Sequence, residues 1–241
     1  MKAQWHPSPN FGPRRDGALP DLVVLHFTAM ASAQSALERL CSPEFEVSAH
    51  YLIGRDGQLW HMVAEKDRAW HAGAGVWAGV SDVNSRSIGI ELDNDGRVPF
   101  AEPLMARLEE LLPAVLARWD IPAHRVIGHS DMAPARKFDP GPRFDWHRLA
   151  RRGLGCWPSA SSAVGEGAHV PEATAPLASA FRSAAVAFGY DPSLTDAVLL
   201  AAFRLRFRPW ASGPIETEDL RQVLDLSRRF PVDRPSPATY V

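Results

Sequence analysis

The sequence is short of several things, and each shortage closes off a class of protein. It has only two cysteines, Cys41 and Cys156. They form neither a C-x-x-C metal knuckle nor a disulfide framework, so two reduced thiols are expected, at least one of them buried. It has no long apolar run. The longest, "AVLLAAF" from Ala197 to Phe203, falls far short of the roughly 20 residues that cross a bilayer, which argues against a membrane span. The opening "MKAQWHPSPNFGPRR" contains no apolar stretch of the secretory kind, and a cytoplasmic location is expected. Basic charge is not in surplus either. A formal net charge of -2 leaves nothing to neutralise a phosphate backbone, so nucleic acid is not an expected partner. The arginine pairs Arg14-Arg15, Arg151-Arg152 and Arg228-Arg229 read as solvated surface.

What is present is ordinary globular material. The chain has 241 residues, 46% of them hydrophobic, enough for one large domain or for a medium domain with a small companion. "DLVVLHFT" (21–28) reads as a buried strand, and "SAQSALERLC" (32–41) as a helix capped by Ser32. "SAHYLIGRDGQLWHMV" (48–63) reads as a hairpin turning at Asp56-Gly57. "SIGIEL" (87–92) and "RVIGH" (125–129) are further strands. "EPLMARLEELLPAVLARW" (102–119) is a long amphipathic helix with a kink expected at Pro113, and "FDWHRLARR" (144–152) is a closing helix. Strands and helices alternate, so the expected fold class is mixed α/β, a central mixed sheet flanked by helices. After residue 157 the composition turns small, polar and rich in Pro and Gly, as in a linker over 158–176. Three short helical patterns follow (177–189, 193–207 and 216–230), each too short to stand alone. A small C-terminal three-helix domain over 177–241 is the expected solution, with residues 1–157 as the main domain.

Several ionisable residues fall at strand ends or in loops. His26 lies near the end of one strand, His129 ends another, and Asp139 follows in a loop rich in Pro and Gly. Two imidazoles and a carboxylate suffice for a catalytic zinc with its fourth position left to water. A histidine in a buried strand is also commonly a satisfied core residue. Glu91 sits near the end of an apolar strand, where a carboxylate is costly to bury without a partner. It reads either as an edge residue pointing to water or as a general base with a raised pKa. Lys137 reads either as a solvated loop residue or as an electrophile for a developing oxyanion. The stretch 59–79 supplies Trp60, His61, Trp70, His71 and Trp77 beside glycines, which suits a glycan or peptide groove or, alternatively, core filling.

"VVLHFTAM", "SAHYLIGRDGQLWHMV", "RAWHAG", "SIGIELDNDG" and "VIGHSDMAPARKFDPG" occur in this order. Together they resemble the zinc-dependent N-acetylmuramoyl-L-alanine amidases of the type-2 amidase and peptidoglycan-recognition superfamily, in particular the AmpD/AmiD-like branch, across about residues 5–157. The resemblance implies one zinc ion held by His26, His129 and Asp139, with Glu91 activating the attacking water and Lys137 stabilising the oxyanion. It implies substrate-binding positions at His50, His71 and Trp70. Asp139 stands where related phage enzymes and recognition proteins carry a cysteine. Ala49 stands where those phage enzymes use a tyrosine, which leaves the base role to Glu91. The C-terminal part resembles the helical peptidoglycan-binding domain of AmiD-like enzymes, although "ASGPIET" (211–217) departs from its usual DGxxG turn. The implied reaction is hydrolysis of the amide between N-acetylmuramic acid, or its anhydro form, and L-alanine of the stem peptide. The implied partners are peptidoglycan fragments such as anhydro-muropeptides, and the implied role is cell-wall recycling. The alternative on the same fold is a peptidoglycan-recognition protein without catalysis.

Overall fold

The computed structural model describes residues 3–159 and 174–232. The linker expected over 158–176 falls mainly on residues 160–173, which lie outside the described residues. In chain order the elements are β1 (Gln4–Trp5), β2 (Phe11–Gly12), β3 (Leu22–Phe27), α1 (Ala33–Leu40), β4 (Tyr51–Ile53), β5 (Leu59–His61) and β6 (Arg68–Ala69). They continue with β7 (Ser87–Leu92), α2 (Glu102–Trp119), β8 (Val126–Gly128), α3 (His129–Met132), α4 (Trp146–Arg151), α5 (Thr174–Phe188), α6 (Asp196–Phe207) and α7 (Thr217–Arg229). The main sheet runs β1-β5-β4-β7-β3-β8 and is mixed. Only the β4–β5 hairpin is antiparallel, while β1–β5, β4–β7, β7–β3 and β3–β8 are parallel. β2 and β6 form a separate antiparallel pair. Among the described residues, no helix is long and apolar enough to cross a membrane.

The sheet is buried on both faces, which explains why β3 and β7 read as nearly continuous apolar runs. Alternation along β3 sends Val23 and Leu25 to one face and Leu22, Val24 and His26 to the other. The first face packs on α2 through Leu104, Leu108, Leu111, Leu112 and Val115. That helix runs from Glu102 to Trp119 as one element with Pro113 inside it. Buried residues on both sides of the proline hold the turn where its missing N–H leaves a carbonyl unpaired.

The second face is covered in two parts. α1 lies over β4 and β5 through Ala36, Leu37, Leu40, Leu52 and Trp60. The helices α5–α7 lie over the start of β3 and over β8, where Phe181, Phe203, Phe207 and Val223 share one core with Leu22, Val24, Ile127 and Trp77. The C-terminal helices therefore bury their apolar stripes against the sheet as well as against each other. Between the two covers, the C-terminal ends of β3, β7 and β8 stay open. In open α/β sheets this is where ligands bind.

Gly128 ends β8 and lets the following loop fold back. A Cβ there would meet Pro140 Cδ at 2.8 Å and the Trp146 ring at 3.3 Å. Its φ of -89° is ordinary, so the cost of Gly128→Ala is steric and not conformational. The expected loss is about 1–3 kcal/mol of unfolding free energy, read from the midpoint of a denaturant titration with its slope unchanged.

Candidate metal centre and cleft

His26 is the last residue but one of β3, His129 follows β8 directly, and Asp139 returns from the loop ten residues further on. β3 and β8 are hydrogen-bonded neighbours, so the two imidazoles meet because their strands do. His26 Nδ1, His129 Nδ1 and Asp139 Oδ2 are mutually 3.0 Å apart, and all three residues are buried. Among the described residues this is the one trio of His, Cys, Asp or Glu whose ligand atoms could share a metal ion.

Hydrogen bonds behind the trio fix where its protons are. The Ser87 hydroxyl donates to the Val83 carbonyl at 2.5 Å, so its oxygen is free to accept from His71 Nε2–H at 3.2 Å. His71 Nδ1 is then bare and accepts from His26 Nε2–H at 3.0 Å. His26 Nδ1, in turn, carries no proton. On the other side His129 Nε2–H donates to the Ala72 carbonyl at 2.9 Å, which leaves His129 Nδ1 bare as well. Two nitrogen lone pairs and a carboxylate oxygen thus face one another at 3.0 Å. Only a proton or a cation between them makes that arrangement attractive. A proton serves one pair at a time, whereas a cation serves all three. Tetrahedral zinc, with bonds of about 2.0–2.1 Å, sets neighbouring ligand atoms roughly 3.3 Å apart, close to the observed spacing. The donor set and its outer hydrogen bonds therefore fit a metal ion.

Electrostatics agree with this reading. Burial first, and the neighbouring His129 second, push His26 down to about 4 against the pull of Asp139. His71 is lowered well below its ordinary value by burial and by the surrounding imidazoles. Burial acts to raise the Asp139 carboxyl, and its close contacts with His129 and His26 hold it below the usual range. Neutral imidazoles and an ionised carboxylate are the states in which these residues ligate metals.

Glu91 pairs with His26 across β7 and β3 in parallel register, so both side chains stand on the same face. The residue borders the cleft, yet its Oε2 is shut from solvent and has no hydrogen-bond partner. Burial, and then the charge of Asp139, raise its carboxyl to about 8. The cleft has a volume of about 370 Å³. Lys137 is exposed on its wall, with Trp70, His71 and Arg136 on the wall as well and Met30 and Phe138 adding apolar surface. A larger apolar hollow of about 620 Å³ lies between α5, α6 and the 209–215 segment. It contains no metal-binding trio, so the chemistry belongs to the smaller cleft.

His50 is corrected. It does not reach the cleft where a substrate-binding residue was expected. It is fully buried; its Nδ1 accepts from Gly89 N–H at 3.0 Å and its Nε2 donates to the Asp67 carbonyl at 3.1 Å. It props β7 beneath His71, whose ring lies on Gly89 where a Cβ would approach within 2.4 Å. Arg14 likewise is not solvated surface: it donates to the carbonyls of Glu65, Ser85 and Ser87. Trp60 and Trp77 fill core, whereas Trp70 and His71 line the cleft. Sequence reasoning missed Ser87 and the Ala72 carbonyl, because nothing in a sequence shows which backbone oxygen a distant ring will meet.

A family model described as N-acetylmuramoyl-L-alanine amidase matches residues 16–142. N-acetylmuramoyl-L-alanine amidase AmiD of Escherichia coli K12 is 35% identical over 213 residues, 78% of this chain and 75% of its own length. The 1,6-anhydro-N-acetylmuramyl-L-alanine amidase AmpD of Citrobacter freundii is 33% identical over 165 residues, covering 61% of this chain and 88% of its own. The solved complex of E. coli AmiD with anhydro-N-acetylmuramic acid-L-Ala-D-gamma-Glu-L-Lys superposes with a TM-score of 0.78 at 31% identity, covering 95% of this chain and 94% of that one.

Burial first, and then the Arg14 charge, push His50 down to about 3, against about 6.5 in an unfolded chain. Between these values the unfolded state binds the extra proton, so His50 adds stability that is present above about 6.5 and lost as pH falls toward 3. His50→Gln removes that dependence. Thermal melts at pH 7 and pH 5 should show a smaller fall for the variant than for the wild type.

Proposed function

The chain belongs to the N-acetylmuramoyl-L-alanine amidase family, and from that premise we propose how its own residues carry the family's reaction. It hydrolyses the amide between N-acetylmuramic acid, or its anhydro form, and L-alanine of the stem peptide in peptidoglycan fragments, a reaction of cell-wall recycling. The metal is zinc, held by His26, His129 and Asp139. The observation that carries this assignment is the convergence of two bare Nδ1 atoms and one carboxylate oxygen at 3.0 Å. Bound there, zinc supplies a Lewis acid for the scissile carbonyl and lowers the pKa of water from 15.7 to about 7.

The remaining work falls to side chains. Glu91 presents an unpartnered carboxylate oxygen beside His26, placed to take a proton from the attacking water and return it to the leaving amine. Its seclusion keeps the carboxyl basic enough for that exchange near neutral pH. Lys137 stands on the cleft wall, where its ammonium faces the negative charge that develops on the carbonyl oxygen. Trp70 and His71 border the groove on the opposite segment and offer aromatic surface to the sugar and peptide. The amidase unit lies within residues 1–157, and helices α5–α7 cover part of its sheet.

The test is mass spectrometry of mixed muropeptides, anhydro and reducing-end forms together, incubated with the protein with and without a zinc chelator. Chelator-sensitive release of stem peptide with a free L-alanine N-terminus is expected, and the form consumed faster reports the preferred substrate. No release by protein shown to hold zinc would leave peptidoglycan recognition without catalysis. In the same assay Glu91→Ala should abolish most turnover with its zinc content unchanged. Lys137→Ala should lose on the order of 100- to 1000-fold in turnover. Loss of zinc from Glu91→Ala would instead make Glu91 a ligand.

A further inference from the structure

We infer that Tyr190 and Arg206, on the C-terminal helical unit, are positioning residues for His129, acting through Asp131. The inference rests on the reading of His26, His129 and Asp139 as a metal centre. It gives the C-terminal helices a part in metal binding in addition to covering the sheet.

The contacts form a continuous chain. Asp131 Oδ2 accepts from Gly128 N–H at 2.8 Å, which closes the turn between β8 and His129 from the inside. The same oxygen accepts from Arg206 Nη1 at 2.7 Å, and Asp131 Oδ1 accepts from the Tyr190 hydroxyl at 2.8 Å. Arg206 also donates to the Val126 carbonyl at 3.0 Å, so it grips the strand that delivers His129 as well as the turn that aims it. All three side chains are almost completely buried. The guanidinium is further fixed over the Trp146 ring, 4.2 Å from its centroid.

A second route reaches the other side of the same imidazole. Ala78 N–H donates to the Gly189 carbonyl at 2.9 Å, and Val76 N–H donates to the Met132 carbonyl at 2.8 Å. Gly189 packs so closely on Trp77 that a Cβ would lie 2.6 Å from its ring. These contacts seat the 72–78 segment, whose Ala72 carbonyl accepts His129 Nε2–H. The helical unit thus braces both the backbone before His129 and the acceptor that sets its tautomer.

Energetics favour a positional role over a stabilising one. A buried ion pair contributes little net stability compared with a well-packed apolar pair of similar volume. What it does supply is a carboxylate with one orientation, and a carboxylate with three donors cannot rotate away from Gly128. Remove Arg206 or Tyr190 and Asp131 is left partly unpaired in a dry site, free to turn and loosen the step into His129.

The test measures zinc affinity by chelator competition on the full chain, with kcat and KM taken at saturating zinc. The wild type must first bind one zinc per chain and lose it in His129→Ala; failure there sinks the metal reading itself. Tyr190→Phe keeps the ring and removes one donor. Partners behind metal ligands typically matter 10- to 100-fold, and one step further out the expected weakening of zinc binding is roughly 3- to 10-fold. Excess zinc should restore its kcat, with KM unchanged. Arg206→Met should weaken zinc further and Arg206→Lys less. Val223→Ala, in the same helical core but outside the chain of contacts, should lower the melting temperature and leave zinc affinity alone. Should Arg206→Met not fold, Tyr190→Phe decides alone. Unchanged zinc affinity in folded Tyr190→Phe, or an equal loss in Val223→Ala, would overturn the inference.

Discussion

Three electron-rich atoms held 3.0 Å apart are the constraint around which this molecule is arranged. Without a cation such a cluster is repulsive, and the protein holds its two imidazoles in place from behind. The fixing is done by groups that cannot do otherwise. Carbonyls such as Ala72 and Val83 only accept, so every proton in the two relays is forced outward and every lone pair inward. The tautomers are consequences of where those backbone acceptors lie.

That arrangement explains features of the fold that would otherwise look wasteful. Gly89 lies mid-strand in β7, a place where glycine weakens a sheet, and its bare face is where the His71 ring rests. Gly128 gives way to Pro140 for the same kind of reason. The apolar cores on either side compensate for the polar wedge between them, with α2 on one face and α1 and α5–α7 on the other. A sheet with one open face could not hold these imidazoles dry.

Much of the scaffold was legible because its signals are local. "SIGIEL" is a strand over 87–92, Ser32 caps α1 by accepting from Ser35 N–H, and the Asp56-Gly57 turn joins β4 to β5. The site was legible only as five motifs in order, since His26, Glu91, His129 and Asp139 each have a bland reading alone. What stayed hidden depends on distant neighbours. His50 looked like a groove residue because the family resemblance puts its motif near the site, yet its ring nitrogens are claimed by Gly89 and Asp67. Arg206 interrupts an apolar helix in "FRLRF", which was the available signal, since an arginine among buried phenylalanines implies an anion nearby. That the anion would be Asp131, 75 residues earlier, is a fact of tertiary structure.

The strand order carries a consequence for how the protein comes into being. β3 is made early but sits between β7 and β8, which are made much later. His26 and Asp139 lie 113 residues apart, and the brace on His129 comes from still further along the chain. Contacts of such long range form slowly, because loop closure must precede them. During synthesis the nascent chain therefore has His26 long before His129, and the trio is complete only after residue 139 has emerged. The trio is thus completed late in folding, once β3 has been flanked by both of its partners.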